Sequence, residues 1–203
     1  GASNNQTRLD LGGIGLLISH GSQFDTSPRS PNSLVVIDGG GVYGGVMITN
    51  SATFIVRHKG RVVLTNGAVW LSEYGSGLTL AGPETRLEIM SNSLLQVNLP
   101  GAVSVSIANN SVVLVDGGVF ASTNSGGNGS KLLPSGGSSI VIRNGGVVSN
   151  MNLLIGTDGA LQMESGGKFY GMSILANIFA PVNSTGNYSY IRGENTIFDS
   201  THR

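Results

Sequence analysis

The sequence predicts an all-β, single-domain fold, a right-handed parallel β-helix in which short strands wind into stacked coils. Three observations predict it. Apolar and polar residues alternate in short runs, Asn and Gly recur between those runs as turn formers, and helix signals are weak along the whole chain.

The repeating unit is clearest in "VVLTNGAVWLS" (62–72) and returns in "VMITNSATFIV" (46–56), "VSIANNSVVLV" (105–115) and "IVIRNGGVVSN" (140–150). Counted from the turn Asn, apolar residues stand four and two positions before it and three and five after it. Val62, Leu64, Val69 and Leu71 do so around Asn66, and Val105, Ile107, Val112 and Leu114 around Asn109. These are the expected inward-facing residues, with an odd step across the turn. Looser copies centre on Gly82, Asp116 and Ser165 and on three more asparagines. Asn50, Asn66, Asn92, Asn109 and Asn144 are therefore expected at structural corners, because Asn and Gly tolerate left-handed backbone. Their amides would hydrogen-bond along the stack axis. Three strand-plus-corner units make a coil of about 20 to 25 residues. The alternative reading of the same turns is a β-sandwich built from true Asn-Gly hairpins. With only 6% aromatic residues and short strands, the chain favours coils.

The rhythm divides the chain into an N-terminal cap or lead-in (1–33), β-solenoid coils (34–175) and a C-terminal cap or irregular last coil (176–203). Within the coils, "STNSGGNGSKLLPSGGSS" (122–139) is polar and Gly-rich and reads as an inserted loop.

The 11 Lys and Arg balance the 11 Asp and Glu in 203 residues. Long-range charge therefore attracts neither nucleic acid nor an anionic membrane, and no apolar run approaches the ~20 residues that cross a bilayer. Neither nucleic-acid binding nor membrane insertion is expected. The absence of Cys excludes disulfides and thiolate metal sites. Thirty-two glycines beside 39% hydrophobic residues describe a turn-rich folded chain.

Catalytic signals are sparse. No two acids stand two apart on one strand, and the nearest pair, Glu84 and Glu88, reads as a solvated corner. Asp38, Asp116 and Asp158 each precede Gly and read as turn formers. His20, His58 and His202 lack metal-ligand spacing. No catalytic residue, metal or cofactor is assigned. The one localised charged feature is "RHKGR", in which Arg57, His58, Lys59 and Arg61 form the candidate binding site for sulfate or carboxylate groups of an anionic glycan. Arg143 is expected near it on a later coil. A merely solubilising turn is the competing reading.

The "NGG", "DGG" and "NGA" corners flanked by alternating Val, Leu and Ile resemble the right-handed parallel β-helices of bacterial surface adhesins, autotransporter passengers and pectate-lyase-like proteins. The resemblance spans about residues 34 to 175. It implies an extracellular, cell-surface or virion-surface location and a non-enzymatic structural or adhesive role as a stalk, fibre or adhesin segment. The implied partners are a glycan or other cell-surface ligand and further copies of the chain, joined as a homo-oligomer through the solenoid ends. It also implies the alternative, a carbohydrate-active enzyme or phage tailspike fragment acting on polysaccharide.

Overall fold

A computed structural model describes residues 8–10, 16–18, 23–25, 34–38, 41–44, 53–57, 59, 61–72, 77–98, 104–123, 130–174 and 190–199. The protein is all-β, with no helix among the described residues, and its strands stack as a parallel β-solenoid. Among the described residues each coil contributes one strand to each of three walls, except toward the C-terminal end, where the second and third strands of a coil fuse. The first wall is an eight-stranded sheet whose strands include Arg61–Thr65, Arg86–Met90, Val112–Asp116, Ser139–Arg143 and Ala160–Met163. The second and third walls form one 13-stranded sheet. Val69–Ser72, Leu94–Val97 and Val119–Ser122 belong to the second wall; Gly77–Ala81, Ser104–Ala108 and Lys131–Pro134 belong to the third.

Register gives the coil length. Arg61 pairs with Arg86, Arg86 with Val112, Val112 with Ser139 and Ser139 with Ala160, so successive coils take 25, 26, 27 and 21 residues. The short coil has a local cause. Its second and third strands fuse into Val147–Leu153, and the corner between them shrinks to left-handed Asn150 (φ 57°), with register shifts around Met151.

The core is a set of axial rows. Val62, Leu87, Val113, Ile140 and Leu161 stack in the first wall, with Leu64, Ile89, Val115, Ile142 and Met163 beside them. Trp70, Leu95, Phe120, Val148 and Phe169 stack in the second wall. Leu78, Val105, Leu132 and Leu153 stack in the third. All are buried, and each such side chain contributes about 1.5 to 3 kcal/mol of burial. No single coil closes this core, so the coils must stack.

The Asn-Gly pairs adopt the backbone of a hairpin turn without making a hairpin. Asn66 and Gly67 have φ of 53° and 79°, Asn144 and Gly145 52° and 76°. Ala68 N–H donates to Thr65 C=O at 3.1 Å, and Gly146 N–H to Arg143 C=O at 2.9 Å. This is the doubly left-handed turn that joins antiparallel strands. Here the strands on its two sides lie in different walls and pair in parallel with neighbouring coils. Paired strands are parallel throughout the described ladders, which removes the sandwich alternative.

Two sequence expectations are corrected. The step across a corner is even: Leu64, Ala68 and Trp70 are buried, whereas Val69 is only half-buried. After Asn109 the fully buried residues are Val113 and Val115, while Val112 is only half-buried and Leu114 is buried at 8% exposure. Two left-handed residues turn the chain in four positions and so preserve its alternation; in runs such as "VVLV" every position is apolar and the phase cannot be read. The inserted loop at 122–139 is not one loop. Lys131–Pro134 is a third-wall strand with Leu132 and Pro134 buried, and Ser139 starts the next first-wall strand. Pro134 has no N–H to give the ladder, while its carbonyl accepts from Gly156 N–H at 2.9 Å. Residues 124–129 lie outside the described residues.

The walls also run beyond residues 34–175. Arg8–Asp10 pairs with Leu34–Asp38, Tyr190–Gly193 with Ala160–Met163, and Ile197–Asp199 with Lys168–Ile174.

Candidate functional site

Parallel stacking places side chains one coil apart in sequence next to one another, and the charged residues of the first wall use this. Arg61 begins its strand on the outer face, and Glu88 lies on the following strand, 27 residues on. Arg61 Nε donates to Glu88 Oε1 at 2.8 Å and its Nη2 to Oε2 at 2.6 Å. Glu88 is only 3% exposed, and Arg86 Nη1 approaches it to 4.0 Å. The hydrogen bond from Arg61 to Glu88, partly offset by burial, raises the Arg61 pKa and keeps the guanidinium charged. Lys59, left-handed at φ 62°, reaches Glu84 Oε1 at 2.9 Å. Both of these groups are largely exposed, and such a pair contributes little to stability.

The "RHKGR" cluster is therefore internally compensated at two of its positions. Lys59 and Arg61 are held by Glu84 and Glu88, the two acids the sequence offered as a carboxylate pair. Arg57 ends the strand Thr53–Arg57 and is also engaged; His58 lies outside the described residues. Arg143 does not join the cluster. It lies three coils on, at the opposite end of its strand, beside Asp116. The missed signal was the coil period itself, since a spacing near 26 residues pairs Arg61 with Glu88 and Asp116 with Arg143.

Losing Arg61 strands a buried carboxylate. Arg61→Leu is expected to lower stability by about 2 kcal/mol, the cost of an unsatisfied buried acceptor. The double variant with Glu88→Leu should recover much of it in chemical denaturation.

Asp116 forms the second compensated group. Arg143 Nε and Nη2 donate to its Oδ2 at 2.9 and 2.7 Å, and Asn144 Nδ2 donates to Oδ1 at 2.6 Å. Burial alone would raise the Asp116 pKa, but the hydrogen bonds from Asn144 and Arg143 and the Arg143 charge outweigh it and the pKa is lowered. A folded pKa below the unfolded value of about 3.9 gives stability that is present above that value and is lost as pH falls through the folded pKa. The native protein is expected to lose more Tm than an Asp116→Asn variant between pH ~5 and ~2.

The corner asparagines divide by role. Asn66, Asn92, Asn109 and Asn144 are left-handed, with φ from 52° to 63°, and all are exposed. Asn50 lies outside the described residues. Asn144 Nδ2 bonds along the stack axis to Asp116 Oδ1 of the preceding coil at 2.6 Å, and buried hydroxyls supply a second axial link. Thr85, Ser111 and Ser138 each precede a first-wall strand and are at most 1% exposed. Ser111 N–H donates to Ser138 Oγ at 3.1 Å, and Ser111 Oγ donates to Ala108 C=O at 2.7 Å. The sequence signal was a Ser or Thr immediately before the strand in successive coils.

The three Asp-Gly aspartates do not converge. Asp38 and Asp116 share a row but are separated by Thr65 and Met90, and Asp158 occupies a different corner. Among the described residues no group of three His, Asp or Glu side chains is placed to hold a metal ion. His20 and His202 lie outside them. A cleft of about 740 Å³ opens near the last described coil, lined by Glu164, Ser165, Arg192 and Glu194 among others. Arg192 Nη2 lies 3.6 Å from Glu164. No family model matches the chain, and no curated protein or solved structure matches it.

Proposed function

We propose that this chain is a non-enzymatic structural or adhesive β-solenoid module of an extracellular or surface protein, acting as a stalk, fibre or adhesin segment. The observation that carries the proposal is the direction in which its polar groups are used. Lys59–Glu84, Arg61–Glu88, Asp116–Arg143 and Arg192–Glu164 each join one coil to the next, as do the hydroxyls of Ser111 and Ser138. Groups that bind along the axis stiffen a rod. A glycan or other cell-surface ligand and further copies of the chain, meeting through the solenoid ends, are the proposed partners. For an anionic glycan, Arg57, His58, Lys59 and Arg61 remain the proposed contact, weakened by the carboxylates opposite Lys59 and Arg61. The test is incubation with sulfated, carboxylated and neutral polysaccharides, reading both retention and chain length. Retention without shortening is expected, whereas release of shorter oligosaccharides would overturn the non-enzymatic reading.

The second reading, an enzyme acting on polysaccharide, is favoured by the cleft in which Glu164 and Glu194 stand with Arg192. Under that reading Glu164→Gln would abolish shortening of the polysaccharide.

A further inference from the structure

The first two walls end in strands whose residues match from one end of the stack to the other. Among the described residues Arg8–Asp10 and Leu16–Ile18 start these walls, Tyr190–Gly193 and Ile197–Asp199 finish them, and each is paired on one side only. An edge strand offers unpaired N–H and C=O groups to a further strand. At the C-terminal edge the core is also incompletely covered. Ile191 and Phe198 pack on it but stay half-buried, whereas Leu161 and Phe169 one coil earlier are fully buried. Ile197, the one exposed large hydrophobic among the described residues, lies on the same edge at 46% exposure.

Register shows what a second copy brings to that edge. Leu9 and Ile191 are the two ends of one inward row, that of Val62 and Leu161. Leu16 and Phe198 are the two ends of another, that of Trp70 and Phe169. Arg8 stands eight residues before Leu16, and its row-mate Tyr190 eight before Phe198. The step between the walls is thus equally long at both edges, so a copy seated with Leu9 beyond Ile191 also has Leu16 beyond Phe198. Asp10 and Arg192 share a third row, that of Glu88 and Gln162. Within the chain one pair of opposite charge on a shared row, Asp116 and Arg143, bonds at 2.7 and 2.9 Å. Arg192 is exposed and loosely held by its own chain, 3.4 Å from Gln162 Oε1 and 3.6 Å from Glu164 Oε1.

We infer that copies of this chain stack head to tail, the N-terminal edge of one continuing the parallel ladders of the C-terminal edge of another, with Asp10 one strand beyond Arg192. Such stacking rests on the structural-module reading above and gives its self-association a polarity and a register. The contact joins two different surfaces by a step along the stack axis, so it does not close on itself and builds an open filament. Two C-terminal edges would instead have to pair antiparallel, as no described ladder does, and would bring two copies of Arg192 together.

The chain has no cysteine, so introduced thiols report the contact. Arg8→Cys and Tyr190→Cys share a row and leave Asp10 and Arg192 in place. The two variants are prepared separately, mixed and oxidised. The mixture is expected to form disulfide-linked dimers several-fold faster than either variant alone, and the doubly substituted chain to form a ladder of longer species on a non-reducing gel. Asn66→Cys, at an exposed corner within the stack, should link to Tyr190→Cys no faster than Tyr190→Cys links to itself. Arg192→Glu added to the Tyr190→Cys chain should slow linking, and Asp10→Arg added to the Arg8→Cys partner should restore it. No preference for the mixture, or a rate unmoved by Arg192→Glu, overturns the inference. Should a charge-reversed chain fail to fold, the single-cysteine chains decide by themselves. Polysaccharide shortening is scored separately: a chain that retains glycan unshortened but links without preference sinks head-to-tail stacking alone.

Discussion

Gly146→Val is expected to destabilise the protein by about 3 kcal/mol or more, enough to leave a marginal domain unfolded. Gly146 has an ordinary backbone conformation, so the cost is steric. A Cβ there falls inside contact distance of the Val115 carbonyl oxygen of the preceding coil and 3.0 Å from Arg143 O. The obstructing atoms are backbone held in the ladder and cannot swing away. Gly118, Gly159 and Gly167 share the geometry, meeting Met90 O (2.6 Å from the added Cβ at Gly118), Pro134 O and Ile142 O respectively. Gly67→Ala is the control. Nothing lies within 4 Å of its added Cβ, and only the left-handed backbone opposes it, at about 1 kcal/mol. Denaturant midpoints of the two variants check the contrast; equal losses would mean that coils can part locally. The two glycines of "NGG" at Asn144 thus have different reasons. The first supplies left-handed backbone, and the second lets one coil approach the next.

Phe120→Ala is expected to cost about 3 to 5 kcal/mol, whereas Val119→Ala next to it should cost less than ~1 kcal/mol. Phe120 is 0% exposed and sits in the second-wall row between Leu95 and Val148. Removing its ring opens a cavity that the rigid ladders on either side cannot collapse to fill. Val119 points to the outer face. Comparable losses from the two substitutions in urea unfolding would reverse the assignment of which face is buried, and with it the even corner step. The same experiment on Val113 and Val112 repeats the test in the first wall.

The solenoid was legible in the sequence because its two signals are local. Alternation of Val, Leu and Ile specifies strands, and Asn-Gly pairs specify left-handed corners, whatever the strands later pair with. Lys131–Pro134 was lost because the alternation of Leu132 and Pro134 is only two apolar residues long and is flanked by Gly and Ser. The inward phase after each corner was also lost, since "VV" and "VVLV" are apolar on both faces. The pairings behind the candidate site lie a coil apart. Arg61 with Glu88, Asp116 with Arg143 and Ser111 with Ser138 become neighbours only when the period is known to within a residue, and it varies from 21 to 30 along the first wall.

By itself the sequence determined that the chain is all-β, cornered by Asn and Gly, nearly free of net charge and without thiols. Those properties depend on residue type and on spacings of a few positions. Only the tertiary structure decided that the hairpin-type turn joins different walls, that the basic turn at Lys59 and Arg61 is matched by Glu84 and Glu88, and that the buried hydroxyls of Ser111 and Ser138 link one coil to the next. Each of these depends on register between coils, set by summed corner lengths and the packing of whole rows, and no short stretch of sequence contains it.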